Sequence, residues 1–128
     1  LATNKVKLVS VKDVRLLYSS VNLLVYPVER KGAIEPPLTL LEAMSCGCLV
    51  AAYNNVVTSQ LISDGYNGFL FSSAENLAEV VGKLVRGELD VETVSEKARR
   101  TIVENYDVSI LRKPYVEVYE ELINKKPA

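Results

Sequence analysis

The sequence predicts an α/β protein built on a parallel sheet. Two observations carry that reading. Leu23-Leu24-Val25-Tyr26 and Cys48 to Ala52 are short, continuous apolar runs without polar alternation, as expected of strands covered on both faces. Between them, and again after the second, the pattern changes to helical spacing bounded by proline and glycine, so strands alternate with helices along the chain.

Each element follows from its residues. Lys5-Val6-Lys7-Leu8-Val9 alternates and predicts a short first strand. Lys12-Asp13 opens a segment with apolar residues at Val14, Leu17 and Val21, a helical spacing broken at Asn22. Leu23 to Tyr26 is the second strand, closed by Pro27. Residues 29–37 are loop, with polar or flexible Arg30, Lys31 and Gly32, and with Pro36-Pro37, which cannot lie inside a helix. Leu38 to Ser45 is the central helix: Pro37 suits its first turn and Gly47 its C-terminal stop. Cys48 to Ala52 is the next buried strand. Asn54-Asn55 is a turn, Val56 to Ile62 a short helix, and Asp64-Gly65-Tyr66-Asn67-Gly68 a strong turn cluster before the very short strand Phe69-Leu70-Phe71. Ser72 as N-cap with Glu75 three residues on predicts a capping box for a helix that turns Leu77, Val80, Val81 and Leu84 inward and ends at Gly87. Val91 to Tyr106 is helical with Val94, Ala98, Ile102 and Val103 inward. Val108 to Asn124 is the last helix, bent or interrupted near Pro114, with Leu111, Tyr115, Val118, Tyr119 and Leu122 as its apolar face. The last three helices are expected to form the closing layer of one domain spanning residues 1–128.

Composition bounds the function. The chain has 128 residues, enough for one domain with a real core. A net charge of −1 gives no electrostatic footprint for nucleic acid. The absence of histidine excludes imidazole catalysis and histidine metal ligation within the chain. Cys46 and Cys48 are too close in sequence to favour a mutual disulfide, and two ligands alone make no zinc site, so they read as small buried thiols in a reducing compartment. No run of about 18 apolar residues is present to span a bilayer. The N-terminal residue is Leu1, with no visible signal peptide, which is expected of a processed chain or a piece of a longer one.

Residues 34–47 hold the candidate chemistry. Glu35 and Glu42 flank the start of the central helix, which lies between two apolar strands. Strand, acidic loop, helix, strand is the local architecture of a nucleotide site: carboxylates accept hydrogen bonds from sugar hydroxyls, and a helix N-terminus receives an anion. The alternative is a solvated Glu42 near a helix start, an ordinary loop carboxylate at Glu35, and a Thr39 hydroxyl that bonds within its own turn. The tyrosines read as half-buried core, and the charge runs Glu29-Arg30-Lys31 and Lys97 to Arg100 as solvated faces.

These residues also resemble a known family. Leu41-Glu42-Ala43-Met44-Ser45-Cys46-Gly47-Cys48-Leu49-Val50-Ala51 is similar to the second half of the signature of the group 1 glycosyltransferases. Ile62-Ser63-Asp64-Gly65-Tyr66-Asn67-Gly68-Phe69-Leu70-Phe71 resembles the glycine turn before that family's last strand. Leu16 to Val21 and Leu24 to Pro27 match the preceding helix and strand, and Glu104-Asn105-Tyr106-Asp107 with Tyr115 and Leu122 the C-terminal helices. The resemblance implies a Rossmann-like parallel sheet with flanking helices, part of the C-terminal, donor-binding half of an enzyme of the GT-B fold. It places the present strands late in the doubly wound order, with Lys5 to Val9 as the third strand and Leu23 to Tyr26 as the fourth, and open sheet edges able to self-associate.

By the same resemblance, Glu42 accepts the ribose hydroxyls. Glu35 is the catalytic-site carboxylate that holds hydroxyls of the transferred sugar. Thr39 and the amides of Leu38 and Leu40 receive the distal phosphate, and Val9 and Ser10 lie where the base packs. Two departures stand out. Glu35 is one residue nearer Glu42 than the family's spacing, with Ile34 in the expected position, so either Glu35 substitutes from one position along or that carboxylate is absent. Pro36-Pro37 replaces a glycine-rich stretch and removes two backbone donors. The family's arginine-lysine pair for the donor diphosphate is expected upstream of this chain.

The implied reaction is retaining transfer of a hexosyl group from a UDP- or GDP-sugar, in glycan biosynthesis, with no metal required. The acceptor is a glycan or lipid-linked sugar held by an N-terminal domain, and the chain alone is expected to be inactive. The expected location is cytoplasmic, or peripheral at the inner face of the membrane. The rival reading is a non-catalytic nucleotide- or sugar-binding or assembly module of the same fold.

Overall fold

The computed structural model describes residues 6–29 and 36–125. Six helices and three strands occur in the order α1 (Val14–Ser20), β1 (Leu24–Tyr26), α2 (Leu38–Ser45), β2 (Val50–Tyr53), α3 (Thr58–Leu61), β3 (Phe69–Phe71), α4 (Ala74–Val85), α5 (Val91–Tyr106) and α6 (Val108–Asn124) among the described residues. The sheet is parallel, ordered β1-β2-β3, with Leu24 opposite Val50 and Ala51 opposite Phe69. Each strand is joined to the next through a helix, so the open α/β class is as the sequence predicts.

The centre is β2 with α2 packed on it and α5 packed on α2. Cys48, Leu49, Val50, Ala51 and Ala52 are all buried, which is why this run carries no polar alternation. Leu40, Ala43 and Met44 of α2 meet Cys48, Val50 and Ala52 of the strand segment, Leu61 and Ile62 after it, and Ala98 and Ile102 of α5 in one cluster, to which α1 adds Tyr18. Met44 and Leu40 are completely buried at 0% exposure.

Helix ends follow local chemistry. Asp13, Ser73, Asp90 and Asp107 each accept backbone N–H bonds as N-caps. At the end of α2, Gly47 at φ +72° lets its N–H reach Met44 and the Cys48 N–H reach Ala43, a Schellman arrangement. Gly87 does the same for α4 through Leu84 and Lys83. Gly68 is required for another reason: a Cβ there would lie 2.8 Å from Val50 Cγ2.

Several expectations are corrected. The described part of the predicted first strand, residues 6–9, is neither strand nor helix, and Val6, Leu8 and Val9 are exposed. A strand exists only by pairing, and no ladder reaches this segment among the described residues. Strand β2 starts at Val50 rather than Cys48, because the Cys48 N–H is committed to closing α2. Helix α3 is shorter than 56–62. The cap of α4 is Ser73, bonded by the Asn76 N–H at 3.2 Å, not Ser72. Val103 is half exposed, on the outer side of α5. Helix α6 is not interrupted at Pro114, and its face of Leu111, Tyr115, Val118, Tyr119 and Leu122 is exposed. It packs on α5 and buries no residue of its own, so it does not act as a closing layer among the described residues.

Candidate functional site

Ligands of open α/β sheets bind outside the carboxyl ends of the strands. Here that rim is formed by Pro27 and Val28 after β1, by Asn54 to Thr58 after β2, and by the start of α2. Tyr53 and Phe71, paired across β2 and β3, stack edge to face with ring centres 5.9 Å apart at the same end.

The start of α2 is fixed by Pro37, whose extended backbone (φ −63°, ψ 129°) serves as N-cap without any side-chain hydrogen bond. The Pro37 carbonyl accepts from Leu40 N–H at 3.0 Å and Leu41 N–H at 3.2 Å. The Leu40 amide is therefore already engaged and its side chain fully buried, while Leu38 is exposed and Thr39 half-buried at the helix mouth. One turn in, Glu42 is exposed on the helix surface. Tyr18 of α1 lies beneath it: burial raises the phenol's pKa, and the neighbouring Glu42 carboxylate pushes in the same direction. Glu35 lies outside the described residues. Val9 and Ser10 are exposed, and no hydrogen bond ties either to the elements around Glu42 among the described residues.

Beside α2, the turn after β2 is a closed hydrogen-bond network. Asn55 Oδ1 accepts from Val57 N–H at 2.9 Å and Thr58 N–H at 3.0 Å. Asn55 Nδ2 donates to the Val28 carbonyl at 3.2 Å. Thr58 Oγ1 donates to the Tyr53 carbonyl at 2.6 Å and accepts from Asn55 N–H at 3.0 Å. Sequence reading missed this network, taking Asn54-Asn55 as a turn only. An asparagine followed three residues on by threonine is the signal that could have disclosed its local half.

The remaining polar features are structural. Asn67 is buried, donates to Leu61 O and Thr101 Oγ1, and accepts from Ser63 N–H at 2.8 Å, tying the glycine turn to α5. Asp64 Oδ1 accepts from Leu70 N–H at 2.8 Å on the outer edge of β3. Arg99 donates to the Ser45 carbonyl at the end of α2. A cavity of about 440 Å³ between Arg15, Cys46, Arg99 and Tyr106 lies at that C-terminal end of α2, away from the helix mouth. Cys46 and Cys48 are free thiols, and burial raises the pKa of Cys48. No group of three acidic or cysteine side chains is gathered for a metal among the described residues. No described helix is long and apolar enough to cross a membrane.

The sequence profile described as "Glycosyl transferases group 1" matches residues 3–103. The chain belongs to the group 1 glycosyl transferase family. An uncharacterized glycosyltransferase of Methanocaldococcus jannaschii, MJ1069, is 31% identical over 88 residues, which cover 67% of this chain and 22% of that protein. Anabaena Alr3699/HepE in complex with UDP-glucose superposes with a TM-score of 0.73 at 20% identity, over 82% of this chain and 29% of that one. The C-terminal domain of a glycosyl transferase group 1 family protein, LpcC from Francisella tularensis, gives 0.65 at 20% identity, over 80% of this chain and 53% of that one. These likenesses confirm the Rossmann-like α/β sheet of the GT-B group 1 enzymes. The chain spans about a fifth of the curated relative and under a third of Alr3699/HepE.

Proposed function

We propose that this chain is the nucleotide-sugar-binding part of a retaining glycosyltransferase that moves a hexosyl group from a UDP- or GDP-sugar. The observation that carries the reading is the start of α2: it opens at the carboxyl end of β1 without a capping side chain, and Glu42 is exposed one turn in. Glu42 accepts the ribose hydroxyls, as a carboxylate can take two donors at once. Leu38 and Thr39 face the distal phosphate, with Leu40 a poorer donor because its N–H already serves Pro37. Glu35 holds the transferred sugar, and Val9 and Ser10 the base. The donor binds without a metal, and electrostatic stabilisation of the departing diphosphate provides much of the catalysis. The UDP-glucose in Alr3699/HepE, a protein of the same fold, supports this donor class.

In this reading the acceptor, a glycan or lipid-linked sugar, is held by a further N-terminal domain. The enzyme works in the cytoplasm or at the inner face of the membrane, and the open edge of β1 is where the isolated chain would self-associate. A non-catalytic binding module is the second reading, favoured by Pro36-Pro37, which offer no N–H to a phosphate. Titration of the chain with UDP-, GDP- and ADP-glucose tests both. Binding that Glu42→Ala weakens by about tenfold, the loss of a charged hydrogen-bond acceptor, is expected. Binding indifferent to Glu42 would refute the assigned site, and absence of any binding would refute both donor-binding readings and leave a structural or assembly module. Sugar transfer by the chain together with its expected N-terminal domain, and none without it, separates the enzyme from the module.

A further inference from the structure

The two outer edges of the sheet differ in how their backbone groups are met. In β3 the Phe71 carbonyl accepts from Asn54 N–H at 2.8 Å, so Phe71 and Phe69 face β2, while Leu70 between them turns its N–H and carbonyl outward. The chain fills that side itself. Asp64 Oδ1 accepts from Leu70 N–H at 2.8 Å. Gly65 N–H donates at 2.8 Å to the carbonyl of Gly68, just before the strand. Asp64 and Gly65 thus lie along β3 in place of a neighbouring strand, and Asp64 forms an isolated parallel bridge with Gly68. The turn itself does not need the Asp64 carboxylate. Tyr66 N–H donates to the Ser63 carbonyl at 2.9 Å, and the buried Asn67 fastens the turn to Ser63, Leu61 and Thr101. Beyond Asp64 the edge opens on a groove of about 480 Å³ lined by Asn76, Glu79 and Lys83 of α4, so the helix does not cover it. In β1 the Leu24 N–H donates to the Leu49 carbonyl at 2.8 Å, so Leu24 and Tyr26 face β2 and Val25 turns outward. No strand pairs with that side among the described residues.

From this geometry we propose that Asp64 closes the β3 edge against a strand from a second copy of this chain, and so leaves the edge of β1 as the side open to pairing. An unpaired N–H on an edge strand is a template for an incoming carbonyl. Asp64 occupies that donor, and an ionised carboxylate offers acceptors only, so it meets the incoming carbonyl oxygen with negative charge. The apolar run Leu23 to Tyr26 brings no such charge to β1. Asp64 can close β3 whether or not β1 takes a partner, so its role and self-association through β1 fail separately.

The test follows amide exchange residue by residue in the wild-type chain and in Asp64→Ala, at low and high protein concentration, with a thermal melt of each. In dilute solution Asp64→Ala is expected to speed exchange at Leu70 about fivefold, as for one lost hydrogen bond, while its melting temperature stays near wild type. Raising the concentration should then restore protection at Leu70 in Asp64→Ala, together with dimers in native mass spectra, and should leave Leu70 of the wild type unchanged. Leu70 exchange in Asp64→Ala that is the same at every concentration would overturn the role of Asp64. So would a wild-type Leu70 amide that gains protection on concentration. A large fall in the melting temperature of Asp64→Ala would also overturn it, by reducing Asp64 to a residue that holds the turn. A wild-type Val25 amide that gains no protection at high concentration would overturn self-association through β1 and leave the closure of β3 standing.

Discussion

Helices α2 and α6 carry apolar residues at the same helical spacing, yet one is the heart of the domain and the other lies on its rim. Leu40, Ala43 and Met44 of α2 are at 0% exposure, whereas no residue of α6 is buried and Tyr115, Tyr119 and Leu122 are more than half exposed. The difference lies in what each helix faces. Helix α2 lies between two paired strands in the chain, its Leu40, Ala43 and Met44 share one core cluster with Val50 and Ala52 of β2, and α5 closes over it. Helix α6 follows α5 across a single capping residue, Asp107, and packs chiefly on α5 among the described residues. Periodicity marks a face; topology decides whether that face finds a partner.

The largest expected effect tests the buried side. Met44 is completely buried in the cluster that joins α2 to β2 and α5, and Met44→Ala removes most of its side chain from that core. It should cost about 2–5 kcal/mol in chemical denaturation, the range for such truncations. A loss under about 1 kcal/mol would mean that the core relaxes around the gap and that α2 is less central than its burial indicates.

On the other side, Tyr119→Ser and Leu122→Ser on α6 should each change unfolding free energy by no more than about 0.5 kcal/mol, because little apolar area is removed from water in either. A large loss in the same denaturation experiment would show that α6 is covered in solution, by a second copy or by folding back.

The same contrast explains what could be read from sequence. The bounds of α2, β3, α5 and α6 follow from residues adjacent to them: Pro37 and Gly47, the turn at Asp64 to Gly68, Asp90, Asp107. The strand expected at Lys5 to Val9 had the right alternation, but pairing is a property of the sheet and not of the segment. Ser72 and Ser73 were locally equivalent caps, separated only by where β3 releases the chain. At the candidate site, the start of α2 at Leu38 was legible because Pro37 stands next to it in sequence. The Asn55–Val28 bond was not, since its two ends are distant in sequence and meet only through strand pairing.

Acid sharpens the comparison further, because α5 and α6 start alike. Asp90 accepts from Thr93 N–H at 3.1 Å and Asp107 from Ser109 N–H at 2.8 Å. The Thr93 side chain and backbone hold the Asp90 carboxyl below its ordinary pKa, and Ser109 does the same for Asp107. A lowered folded-state pKa means that the ionised carboxylate is favoured by folding. Each cap's contribution is thus fully present above the unfolded value, about 3.9, and is lost as pH falls through the lower folded value. Both caps should weaken in the same window, below about pH 4. Their consequences should differ: α5 keeps Val94, Ala98 and Ile102 in the core without its cap, while α6 has no buried residue to hold its first turn. Residue-resolved amide exchange through that window should show the first turn of α6 opening while that of α5 stays protected. Simultaneous opening would mean that the caps, rather than the packing, hold both helices.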